Sequence, residues 1–245
     1  MKILLAPSES KTDGGSDIFN LDNLIFKEIN PKREELLKKY QDILDKADIN
    51  ELKELFGLKK EEDIKKFILK INKEPVKEAI TRYSGVAFDY LDYSSLDTKA
   101  KEYLSKNLLI FSNLFGVVRA NDLIPIYRLK QGSSIDGIKI EKFYSQILKE
   151  PLDKFLENED ILDIRAGYYN KFYKPNKKYT TLQFLKDGKV VSHWAKAYRG
   201  MVLRECAINM VNSIDEFLKI EFSNLEIKEI IEKKAYNEII YNIID

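Results

Sequence analysis

The chain has 245 residues, of which 44% are hydrophobic and 33% are charged, so it is long enough to bury a substantial hydrophobic core. Its 41 lysines and arginines nearly balance its 40 aspartates and glutamates, which excludes a protein that is cationic over its whole surface. A single cysteine, Cys206, and a single histidine, His193, exclude an intrachain disulfide and any metal site built from several cysteines or histidines.

The amino-terminal apolar run is short. Ile3, Leu4, Leu5 and Ala6 are followed by Pro7, and this run is shorter than the hydrophobic region of a signal peptide. No stretch approaches the roughly 20 apolar residues that a membrane-spanning helix needs. We therefore expect a cytoplasmic protein that has no membrane partner, with a buried first strand at residues 2–6.

Between residues 31 and 80, leucines recur at helical spacing among charges of both signs. This pattern predicts several short helices with solvated charged faces. Pro31 suits a first helical turn and Asn30 suits its cap. Breaks are expected near residues 48–50, at Gly57 and at residues 73–75.

The remaining elements alternate in type. The pattern predicts a helix over 96–106, a strand over 108–111, a helix over 140–157 and a strand over 161–164. Strands over 179–185 and 189–193 flank Asp187-Gly188, a strong hairpin signal. A helix follows over 195–212, and residues 238–244 fit an edge strand or a helix. No linker or repeat divides the chain, so we predict one compact mixed α+β domain over residues 1–245.

Positive charge is concentrated late in the chain. Between residues 165 and 204, basic residues far outnumber acidic ones, and aromatic residues lie among them. Cations that pair with phosphates and rings that stack on bases are typical of nucleic-acid sites. The ordinary alternative is a set of core aromatics beside a solvated lysine loop. The aromatic residues are Tyr168, Tyr169, Phe172, Tyr173, Tyr179, Phe184, Trp194 and Tyr198.

Lys196 and Arg199 are three residues apart, so they share one face of the predicted helix over 195–212. They fall in its first turn, where free amide groups and the helix dipole favour an anion. Gly200 beside them removes a side chain where another group can approach closely. A bound phosphate or carboxylate explains this placement, and a salt bridge to the acidic amino-terminal helices explains it equally well.

Residues 111–123 resemble the turn of a helix-hairpin-helix module, because a turn residue, Asn113, two apolar residues and Gly116 precede an apolar run. Such a turn directs backbone amides at a phosphate without reading sequence. Asn113 stands at the usual first glycine and tolerates left-handed backbone angles. Arg119 and Arg128 are candidates for further phosphate contacts, and structural ion pairs are the equally plausible alternative.

The loop after the first strand carries Ser8, Glu9 and Lys11, which suggests an enzyme acting on a nucleotide or nucleoside-like substrate. In that hypothesis Glu9 is a general acid or base beside Lys11, and Tyr127 donates a proton. The alternative for Glu9 is an exposed carboxylate or an ion pair with Lys11. We expect His193 and Cys206 to be packed side chains rather than iron ligands or a peroxide sensor.

Several segments, taken in order, resemble the YaaA-like family of peroxide-stress proteins over about nine-tenths of the chain. The segments that carry the resemblance are Pro7-Ser8-Glu9-Ser10-Lys11-Thr12, Tyr83-Ser84-Gly85-Val86, Leu114-Phe115-Gly116-Val117-Val118-Arg119, Pro125-Ile126-Tyr127-Arg128-Leu129, Asp163-Ile164-Arg165-Ala166-Gly167 and residues 191–200. Ser10 and Asn113 stand where many relatives have glycine.

The resemblance implies a bacterial cytosolic protein that protects against hydrogen peroxide and helps limit free iron and DNA damage. It also implies a fold with a helix-hairpin-helix-like element and a positively charged cleft that binds DNA. Carried over by position, the cleft residues are Lys11, Arg119, Arg128, Arg165, Lys196 and Arg199. We therefore expect a monomer that needs no cofactor or metal and binds double-stranded or distorted duplex DNA without sequence readout, with the nucleotide enzyme as the alternative.

Overall fold

The computed structural model describes residues 1–191 and 194–244. Its strands are β1 (Lys2–Leu5), β2 (Ser16–Ile18), β3 (Pro75–Glu78), β4 (Leu108–Ser112), β5 (Gly116–Arg119), β6 (Leu123–Pro125), β7 (Ser134–Ile135), β8 (Ile138–Lys139), β9 (Ile161–Asp163), β10 (Tyr179–Lys186), β11 (Lys189–Val190), β12 (Leu225–Glu232) and β13 (Tyr236–Ile243). Its α-helices are α1 (Asn30–Lys46), α2 (Ile49–Phe56), α3 (Glu61–Lys65), α4 (Ala79–Arg82), α5 (Val86–Leu91), α6 (Thr98–Asn107), α7 (Ile140–Leu156), α8 (Ala195–Ile208) and α9 (Ile214–Phe217). Short 3-10 turns lie at Leu21–Asn23, Lys27–Ile29, Ile71–Lys73, Tyr93–Ser95 and Gly167–Lys171.

An 8-stranded sheet forms the centre of the molecule in the order β12-β13-β10-β9-β1-β4-β5, with β11 paired to β10. The pairs from β13 through β10, β9 and β1 to β4 are all parallel, and β12 and β5 add antiparallel edges. The mixed helix and sheet content is as expected. The α+β class is corrected to a mostly parallel α/β sheet, since parallel neighbours need long crossovers and the helices supply most of them.

The predicted first strand and the predicted helices over 96–106, 140–157 and 195–212 are confirmed within a few residues at each end. Asp48 caps α2 with a capping box, and Gly57 ends that helix in the left-handed conformation. The third predicted break, at residues 73–75, separates the 3-10 turn at Ile71–Lys73 from β3, so all three predicted breaks are present. The tail is a strand, but β13 lies inside the sheet rather than at its edge. The edge is β12, which was not predicted.

The helix-hairpin-helix turn predicted at residues 111–123 is a β-hairpin instead. Ser112 pairs with Gly116 across the β4–β5 turn, and the amides of Leu114 and Phe115 bind the Ser112 Oγ. Gly116 has a φ of +81°, and a Cβ there would lie 2.5 Å from the Tyr144 ring. The apolar, β-branched residues around the turn belong to the buried strands β4 and β5, which explains why the sequence resembled the other motif.

Helix α8 packs directly against α5, and Gly200 makes the contact possible. A Cβ on Gly200 would lie 2.1 Å from the carbonyl oxygen of Ala87. The close approach that the sequence predicted at this glycine is therefore made by the α5 backbone. This packing fixes the first two turns of α8, which carry Lys196 and Arg199.

Candidate anion-binding site

The candidate site lies at the carboxyl-terminal edge of the parallel strands. Strand β1 lies between β4 and β9. The next parallel strand along the chain, β4, is therefore added on one side of β1, and the later strand β9 is added on the other side. Ligands of parallel sheets commonly bind at such a reversal point. A cavity of about 380 Å³ lies there, and we call it the β1 cavity. Its polar lining comes from Ser8, Glu9, Ser10, Gln131, Lys196 and Arg199.

Lys196 and Arg199 face this cavity from the first two turns of α8. In the described part of the chain, neither side chain has an ion-pair or hydrogen-bond partner. Burial lowers the pKa of the Arg199 guanidinium, and the Asp163 carboxylate partly offsets that effect. The predicted salt bridge to the acidic amino-terminal helices is therefore not found. Two cations without partners at a helix start favour an anion.

Glu9 is held in the cavity wall by two donors. Arg128 Nη2 donates to Glu9 Oε2 at 2.8 Å, and the Gln131 backbone amide donates to Glu9 Oε1 at 3.0 Å. Arg128 also donates from Nε to the Phe56 carbonyl. The expected ion pair of Glu9 with Lys11 is thus replaced by a pair with Arg128, which fixes the direction of the carboxylate.

Lys11 is partly exposed and lies behind the Glu9 loop. Its Nζ donates to the carbonyl oxygens of Ser8 at 3.2 Å and Glu9 at 3.4 Å, and it lies 3.8 Å from the centre of the Tyr127 ring. Burial lowers the pKa of the Lys11 ammonium well below its ordinary value, the nearby Arg128 guanidinium lowers it further, and the Glu9 carboxylate partly offsets these effects. No carboxylate bonds to this amine within the described residues.

Tyr127 is enclosed beneath Lys11. Its hydroxyl lies 2.8 Å from the hydroxyls of both Tyr83 and Ser112, and burial raises its pKa to about 12. The Tyr127 ring therefore supports Lys11, and its hydroxyl belongs to a buried hydrogen-bonded chain.

Arg165 faces a second cavity of about 500 Å³, which borders β9, β10 and β13. Arg165 is buried and paired with Asp163 through Nε and Nη2 at 2.8 and 2.7 Å. It also donates to the carbonyls of Tyr169 and Tyr173, so it holds the chain after β9 in place. Arg199 lines both cavities, which makes it the link between them.

The other predicted binding residues lie apart from the β1 cavity. Arg119 pairs with Leu109 near the start of β4, at the opposite edge of the sheet, and binds Asp122 at 2.7 Å. Asn113 is buried and bonds to Leu129 and Tyr169. Gly116 lies in the buried β4–β5 turn. Of the predicted cleft residues, Lys11, Arg128, Lys196 and Arg199 border the β1 cavity or contact its wall, and Arg165 borders the second cavity.

The aromatic residues between 168 and 198 are mostly core residues rather than a stacking surface. Tyr169, Phe172, Tyr173, Phe184 and Tyr198 are buried. Tyr168 and Tyr179 are half-buried, and Trp194 is 55% exposed two positions before Lys196.

No group of acidic, cysteine or histidine side chains that could hold a metal ion occurs within residues 1–191 and 194–244. Cys206 is buried, which raises the pKa of its thiol and fits the predicted packing role. The prediction for His193 falls outside the described residues. No helix in the described ranges is long and apolar enough to cross a membrane.

Ser8 and Glu9 line the β1 cavity and Lys11 lies behind them, whereas Gln131 and the pairing of Glu9 with Arg128 were not predicted. Gln131 acts through its backbone amide, so its side-chain type carried no signal. The fixed position of Arg128 beside Glu9 depends on the tertiary packing of the segment after β6.

Comparison with known proteins places this chain in a family. The family model described as peroxide stress protein YaaA matches residues 1–230. An uncharacterized protein of Campylobacter jejuni is 48% identical over the full length of both chains. A UPF0246 protein of Fusobacterium nucleatum is 30% identical over 96% of this chain and 97% of its own. The chain belongs to the YaaA family of peroxide stress proteins, as the sequence segments indicated.

Proposed function

We propose that this protein binds DNA without sequence readout during the response to peroxide, and that the DNA phosphates contact Lys196 and Arg199. The observation that carries the proposal is that both cations face the β1 cavity without a partner in the described part of the chain. Phosphate oxygens would satisfy the guanidinium, the ammonium and the free amides of the first turn of α8 together.

Neighbouring charges support this assignment. Lys11 and Arg128 lie close to the same cavity wall, and the chain is nearly neutral as a whole. Cations clustered on a neutral protein form a local positive region that attracts a polyanion. Binding of this kind would place the protein on DNA, where it would help limit iron-dependent oxidative damage, as a cytoplasmic monomer that needs no cofactor.

The test is the affinity for a fluorescein-labelled duplex, measured by fluorescence anisotropy at a series of salt concentrations. We expect tight binding near 50 mM salt that weakens steeply as salt rises, since each neutralised phosphate releases counterions. Lys196→Gln and Arg199→Gln should each weaken binding of all sequences alike and lower the salt slope by about 1.

The matched control is Lys99→Gln, which changes an exposed lysine in α6 that lies outside both cavities. It should bind as the unmodified protein does. Absence of binding at low salt would overturn the proposal. Unchanged affinity in both Lys196→Gln and Arg199→Gln would also overturn it.

A second candidate is an enzyme that acts on a nucleotide or nucleoside-like substrate. The fixed Glu9 carboxylate favours it, because a cavity of about 380 Å³ has the size of a small-ligand site. Glu9 would act as the general acid or base there. Turnover of a nucleotide panel by the unmodified protein and by Lys99→Gln, together with its loss in Glu9→Gln, would establish this activity, and no turnover by the unmodified protein would reject it.

A further inference from the structure

The second cavity, of about 500 Å³, adjoins the β1 cavity. Strands β1 and β9 are neighbours in the sheet, and their last residues, Leu5 and Asp163, line the β1 cavity and the second cavity respectively. The consecutive residues Ala166 and Gly167 are divided between the two cavities in the same way, and Arg199 lines both. A ligand that binds Arg199 in the β1 cavity can therefore extend into the second cavity.

Two cations of the second cavity are free to bind an anion. Both carboxylates there, Asp163 and Glu238, are bound by basic side chains at 2.7 Å. Lys174 and Arg199 line the cavity and have no ion-pair or hydrogen-bond partner within the described residues. Every nucleotide inside a strand lies between two phosphates, and cations bind these phosphates. Two free cations beside one cavity therefore fit a nucleotide that remains in its strand.

The neutral groups of the second cavity suit a base. The rings of Tyr179 and Tyr236 stack with their centres 5.3 Å apart and are half-buried, so a base can extend this stack. The side-chain amide of Gln183 has no hydrogen-bond partner in the part of the chain that the structure describes. An amide presents both a donor and an acceptor, which is what the edge of a base requires.

We propose that the second cavity holds the base of an unstacked nucleotide in bound DNA, with Gln183 hydrogen-bonded to its edge, an inference that rests on the proposed DNA binding. Arg199 binds one phosphate of this nucleotide, and Lys174 binds the next. A cavity of about 500 Å³ has the size of a small-ligand site and has room for a purine. Removing a base from the stack costs least where that base is already unpaired, so the protein should prefer a duplex that contains an unpaired nucleotide.

The experiment compares two fluorescein-labelled duplexes by fluorescence anisotropy at low salt. One duplex carries a single bulged adenine nucleotide. The other carries a tetrahydrofuran nucleotide in the same bulge, which keeps the phosphates but lacks the base. Gln183→Leu tests the cavity, and the matched control is Gln146→Leu, which changes an exposed glutamine of α7 outside both cavities.

A crosslink locates the base directly. A third duplex carries 5-iodouracil in the bulge and is irradiated with the full unmodified chain, and the crosslinked peptide is then mapped. The crosslink should fall on a residue that lines the second cavity, with Tyr179 and Tyr236 as the expected positions. This measurement keeps the proposal testable even where Gln183→Leu folds poorly.

We expect the bulged adenine duplex to bind at least about fivefold more tightly than the tetrahydrofuran duplex, because one base stacks on an aromatic ring. Gln183→Leu should lower this ratio by about threefold or more, and Gln146→Leu should leave it unchanged. Equal affinity for the two bulges, an unchanged ratio in Gln183→Leu, or a crosslink mapped outside the second cavity would overturn the base-binding proposal alone. Absence of binding to every duplex would overturn the DNA-binding proposal and this one with it.

Discussion

Arg128 and Glu9 are 119 positions apart in the chain, and the Arg128 guanidinium donates to the Glu9 carboxylate at 2.8 Å. The Arg128 side chain is 12% exposed and the Glu9 side chain 37% exposed. The pair joins the loop after β1 to the segment after β6. It also sets a negative group in the wall of a cavity whose other charged lining groups are cations.

The Glu9→Gln variant separates the two proposed functions. Removing this carboxylate takes a negative charge from the cavity and releases Arg128, so duplex affinity should rise by about two- to fivefold, a change worth roughly 0.5–1 kcal/mol for a partly exposed charge. Anisotropy titrations at low salt measure it. A clear loss of duplex affinity would instead mean that the carboxylate is needed to hold the binding surface in shape.

Trp194 provides an intrinsic signal, because it is the only tryptophan in the chain and lies two positions before Lys196. We expect quenching of its fluorescence when DNA binds, and a loss of about 1–3 kcal/mol in affinity for single-stranded DNA in Trp194→Leu if a base stacks on the ring. Steady-state emission during the same titration measures the quenching. Unchanged emission while anisotropy reports full binding would place the DNA away from the start of α8.

Lys11 should make stability depend on pH. Its folded pKa lies below its ordinary value of 10.5, so between these two values the unfolded chain binds more protons. The contribution of Lys11 to stability therefore rises with pH across this window and levels off above about 10.5. Urea midpoints of the unmodified protein minus those of Lys11→Met should increase from pH 7 to pH 10. A flat difference, as expected for the Lys99→Met control, would contradict the lowered pKa.

Tyr127 should make the stability of the fold decrease with pH above about 10. Burial raises its pKa to about 12, so the unfolded chain loses its phenolic proton first, near pH 10. The stability that the buried tyrosine contributes is full below pH 10 and is lost as pH rises toward 12. The urea midpoint of the unmodified protein should therefore fall above pH 10, and the urea midpoint of Tyr127→Phe should fall less steeply. Parallel curves for both proteins would show that Tyr127 ionises normally in the fold.

Gly200→Ala tests the contact that positions α8. A methyl group there would lie 2.1 Å from the Ala87 carbonyl oxygen, so the helices must separate, and we expect a loss of about 1–3 kcal/mol in the free energy of unfolding. Gly167→Ala is the matched control, because no atom lies within 4 Å of a Cβ at that position. Equal urea midpoints for both variants would argue against tight α5–α8 packing.

Sequence patterns predicted the local structure well, but they did not predict strand register or the partners of buried side chains. The helix that carries Lys196 and Arg199 followed from spacing, and the Asp187-Gly188 hairpin followed from turn chemistry. The sequence pattern did not place Arg119 at the far edge of the sheet, because strand register decides it. Arg165 resembled a ligand-binding cation, yet its donors bind Asp163 and backbone carbonyls.

Strand β12 was missed because Leu225–Glu232 carries charges on an exposed edge, where alternation of apolar and polar residues is weak. The helix-hairpin-helix prediction failed for a related reason. A glycine before a valine pair fits a phosphate-binding turn as well as a tight hairpin, and the strand pairing of Ser112 with Gly116 and the Tyr144 ring packed against Gly116 distinguish them.

Strand β13 completes the central sheet beside β10. Tyr236–Ile243 lies between β10 and β12, so a nascent chain that ends before residue 236 has no strand to cover the long side of β10. Such a chain would leave unpaired backbone groups open to association with other chains. A chain truncated before residue 236 should therefore be digested by protease faster than the full chain.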